Sequence, residues 1–276
     1  MGFGVGSLAL RLQQQYAAVQ KQLQRFVPPP AGFGVIARSL THEQARDLVL
    51  HYWVNSVITM DRFPECDGNG NVTWPKPTDK VILKLNIAGV KFTPDNPEAS
   101  AWVQTRGLDL RNVVMVVRLT QYLKDRWGVS VIFWGGLGIG SGKQPKDTHT
   151  EGLAMDFHGA ITSFGHFDVD RDWGSKPVPA AIGGVDGGWP PTAKKTSYRL
   201  AVNPLDFAGL ARSAVSPAGF FWDVYQYMTT QARHDSTEPK PRIGEGSGIH
   251  HPDTSWSDYL RKGHKNHFHF EVAAVK

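Results

Sequence analysis

The sequence holds one cysteine, Cys66, among 276 residues. A single thiol cannot close an intrachain disulfide, and it cannot build a cysteine-based zinc site. No run of about 18 apolar residues is present, so no membrane-spanning helix is predicted. The opening MGFGVGSLAL lacks the basic and long apolar regions of a secretory leader, and no signal peptide is predicted. No block of Lys and Arg resembles a nucleic-acid arm. The formal net charge of +5 is mild; it suits an acidic partner without selecting one. The glycine-rich GGLGIGSGK (135–143) matches neither the dinucleotide fingerprint nor the P-loop. Gln144 follows Lys143, and Leu137 stands where the first P-loop glycine belongs. It reads as a loop entering a site. No internal repeat is visible.

What is present is ordinary globular material, 41% hydrophobic and 20% charged. Leu8, Leu12, Tyr16, Val19, Leu23 and Phe26 recur at helical spacing, and VPPPAGFG (27–34) follows like a stiff linker. An N-terminal helical extension over 1–34 is therefore expected, either docked on the domain or available to a delivery or particle partner. Thr41 and Gln44 form a capping-box pattern that opens a second helix. ECDGNGNV (65–72) carries hairpin turn chemistry. KVILKLNIAGVKF (80–92) reads as strand with a turn. LRNVVMVVRLTQYLKDRW (110–127) reads as an amphipathic helix ended by Gly128, and VSVIFW (129–134) as a buried strand. A Gly/Pro-rich insertion is expected at about 160–245, with DVDRDWG (168–174) inside it as a solvated acidic loop. PLDFAGLARSA and FFWDVYQYMTTQARH read as helices. Helices and separated strands without regular βαβ alternation favour an α+β domain over 35–276, with a small, mainly antiparallel sheet flanked by helices.

The chemistry concentrates in two places. In HKNHFHFEV (264–272), strand alternation puts His267, His269 and Glu271 on one face and Phe268 and Phe270 on the other. The phenylalanines anchor the strand in the core. The two histidines then face a cleft, about 7 Å apart at strand rise. In DTHTEGLAMDFHG (147–159), His149 precedes Asp156 by seven positions. Gly152 permits a turn, and Ala154, Asp156 and His158 share one face of a strand. His149, Asp156 and a histidine of the last strand would give zinc three protein ligands and leave the open position a catalytic site needs. One carboxylate and two neutral imidazoles leave the ion a net positive charge, which favours deprotonation of bound water.

The pattern His149-x-x-Gly152-x-Ala154-x-Asp156, followed by His267-x-His269, resembles the LAS group of zinc peptidases. That group includes D-alanyl-D-alanine carboxypeptidases, phage L-alanyl-D-glutamate endopeptidases, penicillin-insensitive murein endopeptidases and the hedgehog signalling domain. The resemblance covers roughly 110–160 and 255–272, and His264-x-x-His267-x-His269 is most similar to the murein endopeptidase branch. It implies that His149, Asp156 and His269 bind zinc, that His267 is catalytic, and that His264 also lines the site. It further implies cleavage of peptide bonds in bacterial peptidoglycan, with an endopeptidase favoured over a carboxypeptidase. The protein would then be made in the cytoplasm and act in the periplasm or wall after delivery or lysis.

The sequence departs from two features of these families. Asn266 stands where related branches place an acidic base, which leaves a histidine base, His267 first and His264 second, ahead of Glu151 and Glu271. Lys143 and Lys146 stand upstream of the first ligand where an arginine is usual, so Lys143 or His264 becomes the candidate oxyanion donor. The alternative reading keeps zinc for stability alone, in a non-catalytic binding or structural module of a phage-like or secreted particle.

Overall fold

A computed structural model describes residues 32–61, 65–66, 72–73, 76–95, 107–137, 148–172, 217–233, 248–251, 264 and 266–273. The N-terminal helix expected over 8–26, PLDFAGLARSA and Lys143 lie outside them.

The fold is mixed helix and sheet. Helix α1 (His42–Val54) begins with the expected capping box. The Thr41 side chain accepts from the Gln44 backbone, and the Gln44 side chain accepts from the Thr41 backbone. Such reciprocal bonds satisfy two of the donors a helix start leaves open. Strands β1 (Glu65–Cys66) and β2 (Val72–Thr73) pair antiparallel, as the turn chemistry between them requires. The 80–92 stretch divides into β3 (Lys80–Val81), β4 (Asn86–Ile87) and β5 (Val90–Pro94). Strand β6 (Leu108–Asp109) leads directly into helix α2 (Leu110–Trp127), whose cap Asp109 accepts from the Arg111 backbone. Gly128 ends α2 in the left-handed region at φ 60°, where glycine carries no side-chain penalty. Four valines sit within α2 in spite of their modest helix propensity. Val113, Val114, Val116 and Val117 are all fully buried, and burial of that kind outweighs a few tenths of a kcal/mol of propensity.

Strands β7 (Val131–Leu137), β8 (Ala154–Thr162), β9 (Gly165–Asp168), β10 (Ile249–His250) and β11 (Phe268–Glu271) complete the main sheet, with the short helix α3 (Val169–Asp172) and helix α4 (Pro217–Gln231) beside it. The order is β10-β11-β8-β7-β5-β4, and β9 continues the β8 edge that β11 begins. Every pairing is antiparallel except β5 with β7. The sheet is mainly antiparallel as expected, but its seven strands among the described residues make it larger than the small sheet the sequence suggested. One of the additional strands, β9, and the end of β8 come from residues 160–168, and another, β10, comes from 249–250. Residues 160–168 were expected to open the insertion, but they carry β8 onward and return it through β9. DVDRDWG likewise differs from a solvated loop. Its start closes β9 and forms α3, where the Asp172 side chain accepts from the Asp168 backbone.

One face of the sheet is aromatic. Phe157, Phe268 and Phe270 are fully buried. Phe220 of α4 packs on Phe157 and Phe167, and Phe221 packs on Phe268. Helix α2 joins this layer through Trp127, which meets Phe220 edge-on at 5.3 Å. With one face committed to the core, register is fixed, because a one-residue slip would exchange the two faces. The polar residues between these phenylalanines are thereby forced to the opposite face.

Among the described residues no helix is long and apolar enough to cross a membrane.

Candidate metal centre

The opposite face gathers His149, Asp156 and His269. Strand pairing sets two of them directly, because His269 stands in register with Asp156 across β11 and β8. His149 arrives from the turn before β8. There the Gly152 backbone donates to the His149 carbonyl, and the Leu153 backbone donates to the Thr148 carbonyl. Gly152 has φ 71°, and a Cβ there would stand 2.4 Å from the Gly107 carbonyl oxygen. Both conditions admit only glycine. The first turn of α2 pins this turn from below. The buried Asn112 side chain donates to the carbonyls of Gly152 and Ala154, at 2.8 and 3.1 Å.

Three donor atoms converge. His149 Nε2 lies 3.1 Å from His269 Nδ1 and 3.2 Å from Asp156 Oδ1, and His269 Nδ1 lies 2.8 Å from Asp156 Oδ1. The group could hold a metal ion. Two imidazole nitrogens and one carboxylate oxygen suit late first-row divalent ions better than magnesium or calcium, which prefer all-oxygen shells. Burial alone would raise the Asp156 pKa, but His149 and His267 hold it well below the usual carboxylate range. Burial would likewise lower His269. Its bonds to Asp156 and Glu271 outweigh that and lift it to about 9.

His267 sits beside the triangle, its Nε2 3.5 Å from Asp156 Oδ1. Its Nδ1–H donates to Asn266 Oδ1 at 3.0 Å, which leaves the Nε2 lone pair directed at the site. Burial is the main cause that pushes His267 down to about 3, with Asp156 opposing, so the ring is neutral near pH 7. His264 packs against both residues of the His-x-His pair, with ring centroids 5.1 Å from His267 and 5.4 Å from His269. Of the remaining candidates, Glu151 pairs with Lys80 at 2.9 Å, and Glu271 faces His269 from behind.

Three further neighbours stand at the site: His250, which the sequence did not single out, His158, which strand alternation placed on the Asp156 face without a role, and a backbone segment read as a loop entering a site. His250 lies opposite His269 on β10. It is buried, and its Nδ1 has no hydrogen-bond partner among the described residues. Burial pushes it down to about 3. His158 stacks on His267 at 5.1 Å, and its Nδ1 lies 3.1 Å from Asp95 Oδ2. The third is the backbone of β7. Its pairing with β8 is irregular between Trp134 and Leu137, so Gly135 and Gly136 pass close over the site. A Cβ on Gly135 would meet His158 Nε2 at 2.3 Å, and one on Gly136 would meet Asp156 Oδ2 at 2.5 Å and His149 Cε1 at 2.6 Å. The GG dipeptide is the only sequence signal of this close approach, and it reads equally well as a loop.

Gly136→Ala is thus expected to push the Asp156 carboxylate off its position, with an overpacking cost of about 1–3 kcal/mol. Zinc titration and thermal melting check this. A variant matching the parent in both would show that the strand can yield.

Comparison of the chain with models of known protein families, with curated proteins and with solved structures finds no match.

Proposed function

We propose that the protein is a zinc-dependent peptidase that cleaves peptide bonds of bacterial peptidoglycan, acting as an endopeptidase. One observation carries the reading. The His149–Asp156–His269 triangle has a neutral, oriented imidazole, His267, standing beside it on the same sheet face. A tetrahedral ion with bonds of about 2.0–2.1 Å spaces its ligand atoms about 3.3–3.4 Å apart. The triangle's sides of 3.1, 3.2 and 2.8 Å need only a slight expansion to match. The donor set therefore fits zinc, with His149 Nε2, Asp156 Oδ1 and His269 Nδ1 as the ligands.

Bound there, zinc supplies the Lewis acidity that polarises a carbonyl and acidifies water. The chain supplies the rest. His267 Nε2 takes the proton of the attacking water and returns it to the leaving amine, as a general base and then a general acid. Asn266 Oδ1 holds the Nδ1 proton throughout, so the ring keeps one tautomer for the base step. His264 flanks His267 and is the described candidate for holding the oxyanion. Lys143, the other candidate, lies outside the described residues. The backbone of Gly135 and Gly136 packs directly against His158, Asp156 and His149, and so backs the side chains of the site. The wall as substrate, and arrival there by delivery or lysis, rest on the resemblance of the two motifs to the LAS peptidases.

The test is incubation of purified protein with isolated peptidoglycan, with and without a chelator, and mass spectrometry of what is released. New peptide ends that vanish with chelator and return with added zinc are expected. Intact wall after treatment with zinc-loaded protein would overturn the peptidase reading in favour of a zinc-stabilised binding module.

A further inference from the structure

Glu271 is buried, with only 8% of its surface exposed. Buried carboxylates are rare unless paired, and this one is engaged on both oxygens. His269 Nε2–H donates to Oε1 at 3.0 Å, and the Thr148 hydroxyl donates to the same oxygen at 3.1 Å. Arg233 donates to Oε2 at 2.7 Å. The backbone closes the same corner, since Arg233 N–H donates to the Glu271 carbonyl and Glu271 N–H donates to the Gly248 carbonyl.

Two of these contacts lead to the metal triangle. The bond from His269 Nε2–H to Glu271 commits that nitrogen as a donor, so Nδ1, the atom that faces Asp156 Oδ1 and His149 Nε2, is the one left to meet a metal once it gives up its proton. Thr148 immediately precedes His149, and its carbonyl accepts the Leu153 N–H that shapes the turn. One carboxylate oxygen therefore grips one histidine directly and the turn bearing the other. Arg233 compensates the charge, so the carboxylate adds acceptor capacity without leaving an unpaired anion in the core. Outer carboxylates of this kind orient a ligand histidine and raise its basicity.

We propose that Glu271 is a positioning residue that clamps both histidine ligands of the metal centre, His269 through its Nε2–H and His149 through Thr148. The clamp rests on the metal-centre part of the proposed function and is independent of the substrate. A glutamine cannot replace the carboxylate, because its single carbonyl oxygen must choose between Arg233 on one side and His269 with Thr148 on the other.

Zinc affinity, measured by competition with a chromophoric chelator, tests this on the wild type, Glu271→Gln, Thr148→Val and the double variant. Melting of the zinc-free proteins is recorded in parallel. Glu271→Gln is expected to weaken zinc binding about 10–100-fold, and Thr148→Val less. The double variant is expected to be no weaker than Glu271→Gln alone, because both substitutions break the same grip. A carboxylate that only ties Arg233 to β11 would lower the zinc-free melting point and leave zinc affinity untouched, and that result overturns the clamp. If Glu271→Gln does not fold, nitrogen NMR of the zinc-loaded wild type decides. A His269 signal with the metal on Nδ1 and the proton on Nε2 supports the clamp, and the reverse overturns it. Wild type that binds no zinc removes the centre and the clamp together. Wild type that binds zinc but leaves peptidoglycan intact removes only the peptidase.

Discussion

Asp156→Ala is expected to abolish stoichiometric zinc binding, read as zinc content after desalting, and with it all chelator-sensitive release from peptidoglycan. Asp156 supplies the one anionic donor of the triangle and touches the other two, at 3.2 Å from His149 and 2.8 Å from His269. Without it, two imidazoles remain, and an ion held by two neutral ligands in a buried site keeps its full charge uncompensated. A cost in fold stability is also expected. The Asp156 carboxylate and the His269 imidazole stabilise each other's charged forms, since Asp156 is held low and His269 is lifted to about 9. Removing one partner of a buried pair typically costs about 3–5 kcal/mol. Asp156→Asn keeps the volume and loses the charge, so both losses are expected to persist in it if the carboxylate's charge rather than its packing carries them. Retention of tight zinc by both variants would place the metal elsewhere in the chain.

His267→Ala is expected to give the opposite split, with full zinc content and a large loss of turnover. Its Nε2 stands farther from Asp156 than either ligand nitrogen does, at 3.5 Å, and its other nitrogen is committed to Asn266. His267 also lies outside the group of donor atoms within 4.8 Å of one another, which holds only His149, Asp156 and His269 among the described residues. Loss of a general base costs about 10²–10⁴-fold in rate, and the effect belongs in kcat rather than in zinc affinity. Asn266→Ala should produce a smaller loss of the same kind, because it frees the His267 tautomer without removing the ring. Normal digestion by His267→Ala would move the base to His264, whose ring lies 5.1 Å from His267.

Two short motifs made the ligand candidates legible because secondary structure writes them with simple periods. Period-two alternation in HFHFEV separates buried phenylalanines from polar histidines, and β11 keeps that separation. Gly152 announces the turn that presents His149, and it does so at positive φ. The helices at 42–54 and 110–127 were equally legible, because cap and periodicity agree at both.

The sequence by itself thus determined which face of each strand is polar, where α1 and α2 begin and where α2 ends, and which residue types can hold a metal. It did not determine what stands around them. His250 enters the site only because β10 pairs with β11 in the one register that sets it opposite His269. His158 of β8 and Asp95 at the end of β5 meet across the intervening β7, where Gly135 carries no side chain. The role of Glu271 depends on Thr148 and Arg233, which are 123 and 38 residues away in the chain. Gly135 and Gly136 matter because an irregular strand pairing lays them over Asp156 and His149. These are long-range contacts, fixed by how strands add to a sheet and how helices cover its apolar face. A local pattern carries the period of a strand, but not the identity of the strand beside it.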